Sequence, residues 1–188
     1  MPPRPNPWKG FVLGLIGGAV GVMAMDYYQQ KLGPALFSSD DEGDSQGQQN
    51  QPPGRQPLAS LTLIGQQHRQ DESSTAALGR IMYTRMAGEE PNQETKSTLS
   101  YGVHWGYGIL QGGVYGLMRA RTQFSSIWSG PGFGLGLWLF GDELAVPLLG
   151  LQDGPTAYAS QTHLNRAAMH LVYGTVTGLT TQLLQRFL

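Results

Sequence analysis

Five ionisable side chains lie within or beside apolar stretches of this sequence: Asp26, His104, Asp142, Glu143 and His170. Two tyrosines, Tyr107 and Tyr173, each follow a histidine by three places, a spacing that stacks the pair on one helix face. Neutral imidazoles with carboxylate oxygens suit first-row divalent metals, and the same groups can pass protons within a membrane. The competing reading is structural: each histidine donates to a carboxylate or carbonyl on a neighbouring helix and holds the helices in register. No Glu-x-x-His pairing of the kind that builds di-metal sites in bundles occurs, so the structural reading stands first and a divalent metal second. Asp142 and Glu143, being adjacent, project about 100° apart on an α-helix and face the same partner poorly. His68 and His163 fall in expected loops and read as solvated.

The elements that must position these groups are apolar helices. Residues 8–28 give a first span, bounded by aromatic residues where headgroups would lie; Ala24-Met25-Asp26 makes no signal-peptide cleavage site. Residues 98–118, 129–151 and 165–187 give three more, the third irregular because "GPGFGLGLWLFGDELAVP" could break or re-enter. Between the first and second spans lies an expected external loop, 29–97. Within it, residues 38–57 are rich in Gln, Pro, Gly and acidic residues and read as a disordered linker. Leu78, Ile81, Met82 and Met86 recur at helical spacing between Ser73 and Gly88 and predict an amphipathic helix over 73–87.

Composition narrows the class. Charged residues are 13% and glycine is 27 of 188, a combination that favours membrane helices over an ordinary soluble domain. The net charge of −1 offers no electrostatic footprint for nucleic acid, and the absence of cysteine excludes disulfides, thiolate metal sites and thiol chemistry. Neither a Ser/His/Asp set, a His-Glu-x-x-His helix nor a phosphate loop appears, so the chain reads as a non-enzyme with no cofactor predicted. Basic residues in the short segments (Arg4, Lys9, Arg119, Arg121, Arg186) predict both termini on the cytoplasmic side, which puts all five ionisable groups in the outer half of the bilayer.

Every span carries glycines four apart: Gly14 and Gly18, Gly108 and Gly112, Gly132 and Gly136, Gly174 and Gly178. That spacing lines them on one face and lets backbones approach closely where lipid gives no hydrophobic drive. The histidine, tyrosine and glycine of "HWGYG" (104–108) recur in "HLVYG" (170–174), which predicts two parallel helical-hairpin repeats.

At "GFGLG" (132–136), "PLLGL" (147–151), Asn165 and "HLV" (170–172) the chain resembles the YagU-like family of small bacterial inner-membrane proteins. The resemblance covers mainly the second half. It implies an inner-membrane location and transfers no catalytic residue.

The expectation is therefore an all-α membrane protein of four transmembrane helices with a partly disordered external loop, its partner the lipid bilayer. Its function reads as accessory or structural, with a proton- or divalent-metal-linked transporter, assembled as a homodimer, as the alternative.

Overall fold

A computed structural model describes residues 6–37, 58–122 and 127–187; the linker predicted over 38–57 lies outside the described residues. Every regular element among the described residues is helical. One helical run, Pro7–Leu36, is long and apolar enough to cross a membrane by length and composition.

Helix α1 spans Pro7–Tyr27. Its start is local chemistry: the Asn6 side chain accepts from the backbone N–H of Trp8 and Lys9, and Pro7 supplies a φ suited to the first turn. It passes through a π-helical turn, Tyr28–Leu32, into α2, Gly33–Phe37. Helix α3 covers Ser74–Ala87, with Ser73 accepting from the Ala76 N–H and Gly88 ending it at φ 76.

Helix α4 runs from Gln93 to Thr122. It begins earlier than the expected 98–118 because the Asn92 side chain caps the Thr95 N–H and Glu94 sits in the first turn, both favourable at a helix N-terminus. Arg119 and Arg121 occupy its last turn, where the helix dipole favours cations. The stretch expected over 129–151 is composite: α5 (Ser129–Gly136), a nine-residue π-helical segment (Leu137–Ala145) and α6 (Val146–Leu148). A 3-10 turn, Pro155–Ala157, precedes α7, which runs from Ser160 to Phe187 and so takes in five residues before the expected start at 165.

The described residues divide into two compact units, the first from residues 6–37, 105–122, 127–137 and 165–187, the second from 58–104 and 138–164. In the first, α1 lies on α4 glycine against glycine. A Cβ added at Gly14, Gly18, Gly112 or Gly116 would come under 3.0 Å from backbone of the facing helix. Gly10 meets Gly116 and Gly18 meets Gly108, so the two helices run antiparallel. α5 and α7 repeat the arrangement through Gly130, Gly134, Gly174 and Gly178. The packing glycines of α5 are thus Gly130 and Gly134, a correction to the expected Gly132 and Gly136: a Cβ at either of those meets nothing within 4 Å. Gly17 and Gly21 of α1 receive the fully buried Thr181 and Thr177 of α7.

In the second unit the segment 58–72 is laid down on residues 148–154 by backbone hydrogen bonds. The N–H groups of Gln67 and His68 donate to the Gly150 carbonyl, Leu63 N–H to Leu148, and Gly154 N–H to Ala59. Gly150 adopts φ 65, a left-handed conformation that glycine enters without strain.

Candidate functional site

The seven residues expected to form a polar layer are distributed over both units. Asp26, Tyr107, His170 and Tyr173 belong to the first, and His104, Asp142 and Glu143 to the second. Among the described residues, no three His, Asp or Glu side chains come together in a way that could hold a metal ion.

In the first unit, His170 is buried and its Nδ1 sits 2.9 Å from the Arg166 carbonyl one turn back. A carbonyl only accepts, so Nδ1 carries a proton there. Tyr173 is buried and its hydroxyl donates to the Gly108 carbonyl at 2.6 Å, joining α7 to α4. The tyrosine of the second motif therefore reaches the glycine of the first. Its counterpart Tyr107 is 48% exposed, so the two tyrosines do not play equivalent parts. Asp26 is half-buried near the end of α1.

The second unit holds the densest polar cluster near an apolar cleft. Glu143 is buried, and one carboxylate oxygen, Oε1, lies 2.8 Å from His163 Nδ1 and accepts from Trp138 Nε1 at 3.0 Å. Trp138 and Glu143 are five residues apart. On an α-helix that separation leaves two side chains about 140° apart, on different faces. The wider π-helical turn brings them together, and π-helical segments recur at functional sites. Asp142 is half-buried, with its backbone carbonyl accepting from Gln152 Nε2 at 2.6 Å.

His163 is the residue that sequence reading missed. It stands in the first turn of α7 and is no solvated loop residue: Nδ1 faces Glu143, Nε2 is 2.9 Å from the Pro155 carbonyl, and Tyr158 stacks edge-on against the ring. Pro155 O can only accept, so Nε2 is protonated. The imidazole thus bridges the Glu143 carboxylate on one side and a backbone carbonyl on the other. Beside it opens a cleft of about 500 Å³ walled by Trp138, Leu139, Phe140, Leu144 and Pro155.

His68 is likewise corrected. Its Nδ1 donates to the Gly150 carbonyl at 2.9 Å and its Nε2 lies 3.5 Å from Asp153, so it pins the 58–72 segment.

A second cluster, also absent from the sequence reading, centres on Glu72, whose side chain is 1% exposed. Arg80 donates to it from Nε and Nη2 at 2.9 Å each, Lys96 Nζ at 2.9 Å, and the Arg69 backbone N–H at 2.9 Å. Burial alone would raise the carboxyl pKa, but the hydrogen bonds from Arg80, Lys96 and Arg69 outweigh it and hold the group down at about 2. Arg80 also donates to the Gln67 carbonyl, tying α3, α4 and the 58–72 segment together. Nearby, Arg69 pairs with Glu90 through both nitrogens, which lowers the Glu90 carboxyl and raises the Arg69 guanidinium.

No family model, curated protein or solved structure matches the chain. Among the described residues the fold is all-helical, with one helical run long and apolar enough to cross a membrane.

Proposed function

We propose that this is a polytopic integral membrane protein with a structural or accessory role, related to the YagU-like inner-membrane group. It crosses the bilayer four times as a helical bundle with both ends cytoplasmic. Its spans are the α1 run, the apolar part of α4, the α5–π–α6 run and α7. The observation that carries the reading is the backbone-on-backbone contact of glycines in two antiparallel helix pairs, α1 with α4 and α5 with α7. Lipid supplies no hydrophobic drive for helix association, and small residues that let backbones touch are how membrane helices gain contact instead. The Tyr173 hydroxyl, bonded to the Gly108 carbonyl, links one pair to the other by holding α7 against α4.

The test is topology. Single cysteines introduced at Ser45 and at Gln123, in a chain that has none of its own, are exposed to an impermeant thiol reagent in intact cells. Labelling at Ser45 and protection at Gln123 are expected. Labelling at neither, in a protein extracted by alkaline carbonate, would refute the membrane reading.

One observation favours a second reading, a proton-linked transport activity: the Glu143 carboxyl and the His163 imidazole lie 2.8 Å apart beside an open apolar cleft. Reconstituted protein subjected to a pH jump should then pass protons, and Glu143→Gln should abolish the flux without loss of fold. Equal flux in both proteins would remove this reading and leave the structural one.

A further inference from the structure

At one end of the first unit the helices gather positive charge. Gly10 packs on Gly116 and Gly130 on Gly178, so the start of α1, the end of α4, the start of α5 and the end of α7 share that end. Lys9, Arg119, Arg121 and Arg186 lie there, and residues 6–15, 113–122, 127–135 and 177–187 contain no Asp or Glu. Three aromatic residues on the same segments stand out from the surface, Trp8, Trp128 and Phe187, the first two about three-quarters exposed at 76% and 75%.

Arg119 differs from the other cations in being half-buried and held in a fixed geometry. Its Nε donates to Gln185 Oε1 at 3.3 Å, and Nη1 donates to the hydroxyls of Tyr115 and Ser129, each at 3.3 Å. Those two hydroxyls bond to each other at 2.8 Å. All three partners are neutral, so the guanidinium is aimed but its charge is not balanced by any described carboxylate. Beside it opens a cleft of about 160 Å³ whose walls include Trp128, Pro131 and Leu179.

A half-buried guanidinium has lost part of its hydration and is best restored by an oxyanion that accepts its forked donors. The apolar cleft beside it selects an anion that carries hydrocarbon. Exposed tryptophans mark headgroup depth in membrane proteins, and anionic lipids concentrate beside cytoplasmic clusters of Lys and Arg.

We infer that Arg119 and the adjoining cleft bind the phosphate of an anionic phospholipid. Tyr115, Ser129 and Gln185 orient the guanidinium, Arg121 and Arg186 add only general attraction, and the cleft takes the first carbons beyond the phosphate. The inference rests on the membrane reading above.

The test uses the full chain, purified in detergent and stripped of lipid, titrated with dioctanoyl phosphatidylglycerol, dioctanoyl phosphatidylcholine or inorganic phosphate. Tryptophan fluorescence, which Trp128 reports, and the thermal midpoint are followed. Phosphatidylglycerol should bind and raise the midpoint, while phosphatidylcholine and inorganic phosphate should do neither at the same concentration. Arg119→Gln should weaken phosphatidylglycerol binding about tenfold or more, as expected for loss of charge-assisted hydrogen bonds. Arg121→Gln should change it less than about threefold, the scale of an exposed charge. If Arg119→Gln does not fold, Arg119→Lys, which keeps the charge and loses the fork, should give a measurable loss of its own. The inference is overturned by an equal response to phosphatidylcholine or inorganic phosphate, by unchanged binding in the Arg119 variants, or by an equal loss in Arg121→Gln. Carbonate extraction of native membranes separates the two levels. Release of the protein sinks the membrane reading itself, whereas retention without phosphatidylglycerol selectivity sinks the lipid site alone.

Discussion

Replacing Gly112 with alanine adds one methyl group where α4 meets α1, and the structure allows its effect to be worked through. The new Cβ would come under 3.0 Å from the Gly18 Cα, the Gly18 nitrogen and the Gly14 carbonyl oxygen. All three are backbone atoms, so no side chain can swing aside and the helices must separate, by on the order of 1 Å. A gap of that size forfeits between about a quarter and a half of each contact's attraction along the seam. Overpacking of this kind costs about 1–3 kcal/mol, and the tight backbone setting argues for the upper end. Alanine returns about 1 kcal/mol through its better helix propensity. The net expectation is a loss of about 2 kcal/mol, or roughly 4–8 °C in thermal midpoint for a chain of this size. Gly132→Ala is the matched control. A Cβ there meets nothing within 4 Å, so only the propensity term remains and the variant should be as stable as the parent or more so. Both variants can be melted in the same detergent with helicity as the signal. A Gly112→Ala protein as stable as the parent, or an equal loss in Gly132→Ala, would refute the packing argument.

Two further perturbations follow from named contacts. The Glu72 carboxyl is held at about 2, below its ordinary 4.5, so its contribution is complete above about pH 4.5 and disappears as pH falls toward 2. Allowing for water at the edge of the cluster, that contribution is about 2–3 kcal/mol. Glu72→Gln should lower stability at neutral pH and flatten the acid limb of the stability profile; an unchanged acid limb in denaturant titrations between pH 5 and 2 would argue against the cluster. Tyr173→Phe removes the bond to the Gly108 carbonyl and should cost about 1 kcal/mol, read as a small drop in midpoint with helicity unchanged.

What the sequence determined by itself is what depends on neighbours in the chain. The all-helical class follows from apolar periodicity and glycine stripes, and Asn6-Pro7, Ser73 and Gly88 bound their helices because a cap acts within about one turn. Tertiary structure decided everything that depends on which face meets which. In α5 glycines stand at 130, 132, 134 and 136, two stripes about 160° apart on a helix, equally good in sequence. Only the approach of α7 selects Gly130 and Gly134. The partnership of Trp138 with Glu143 needs a π-helical turn that no four-residue pattern announces, and His163 meets Glu143 only because α7 begins earlier than its apolar run. Glu72, Arg80 and Lys96 fall within the stretch expected as an external loop and its helix, with no spacing that pairs them. Their pairing is set by where α3 and the start of α4 are folded, and so is the depressed carboxyl that results.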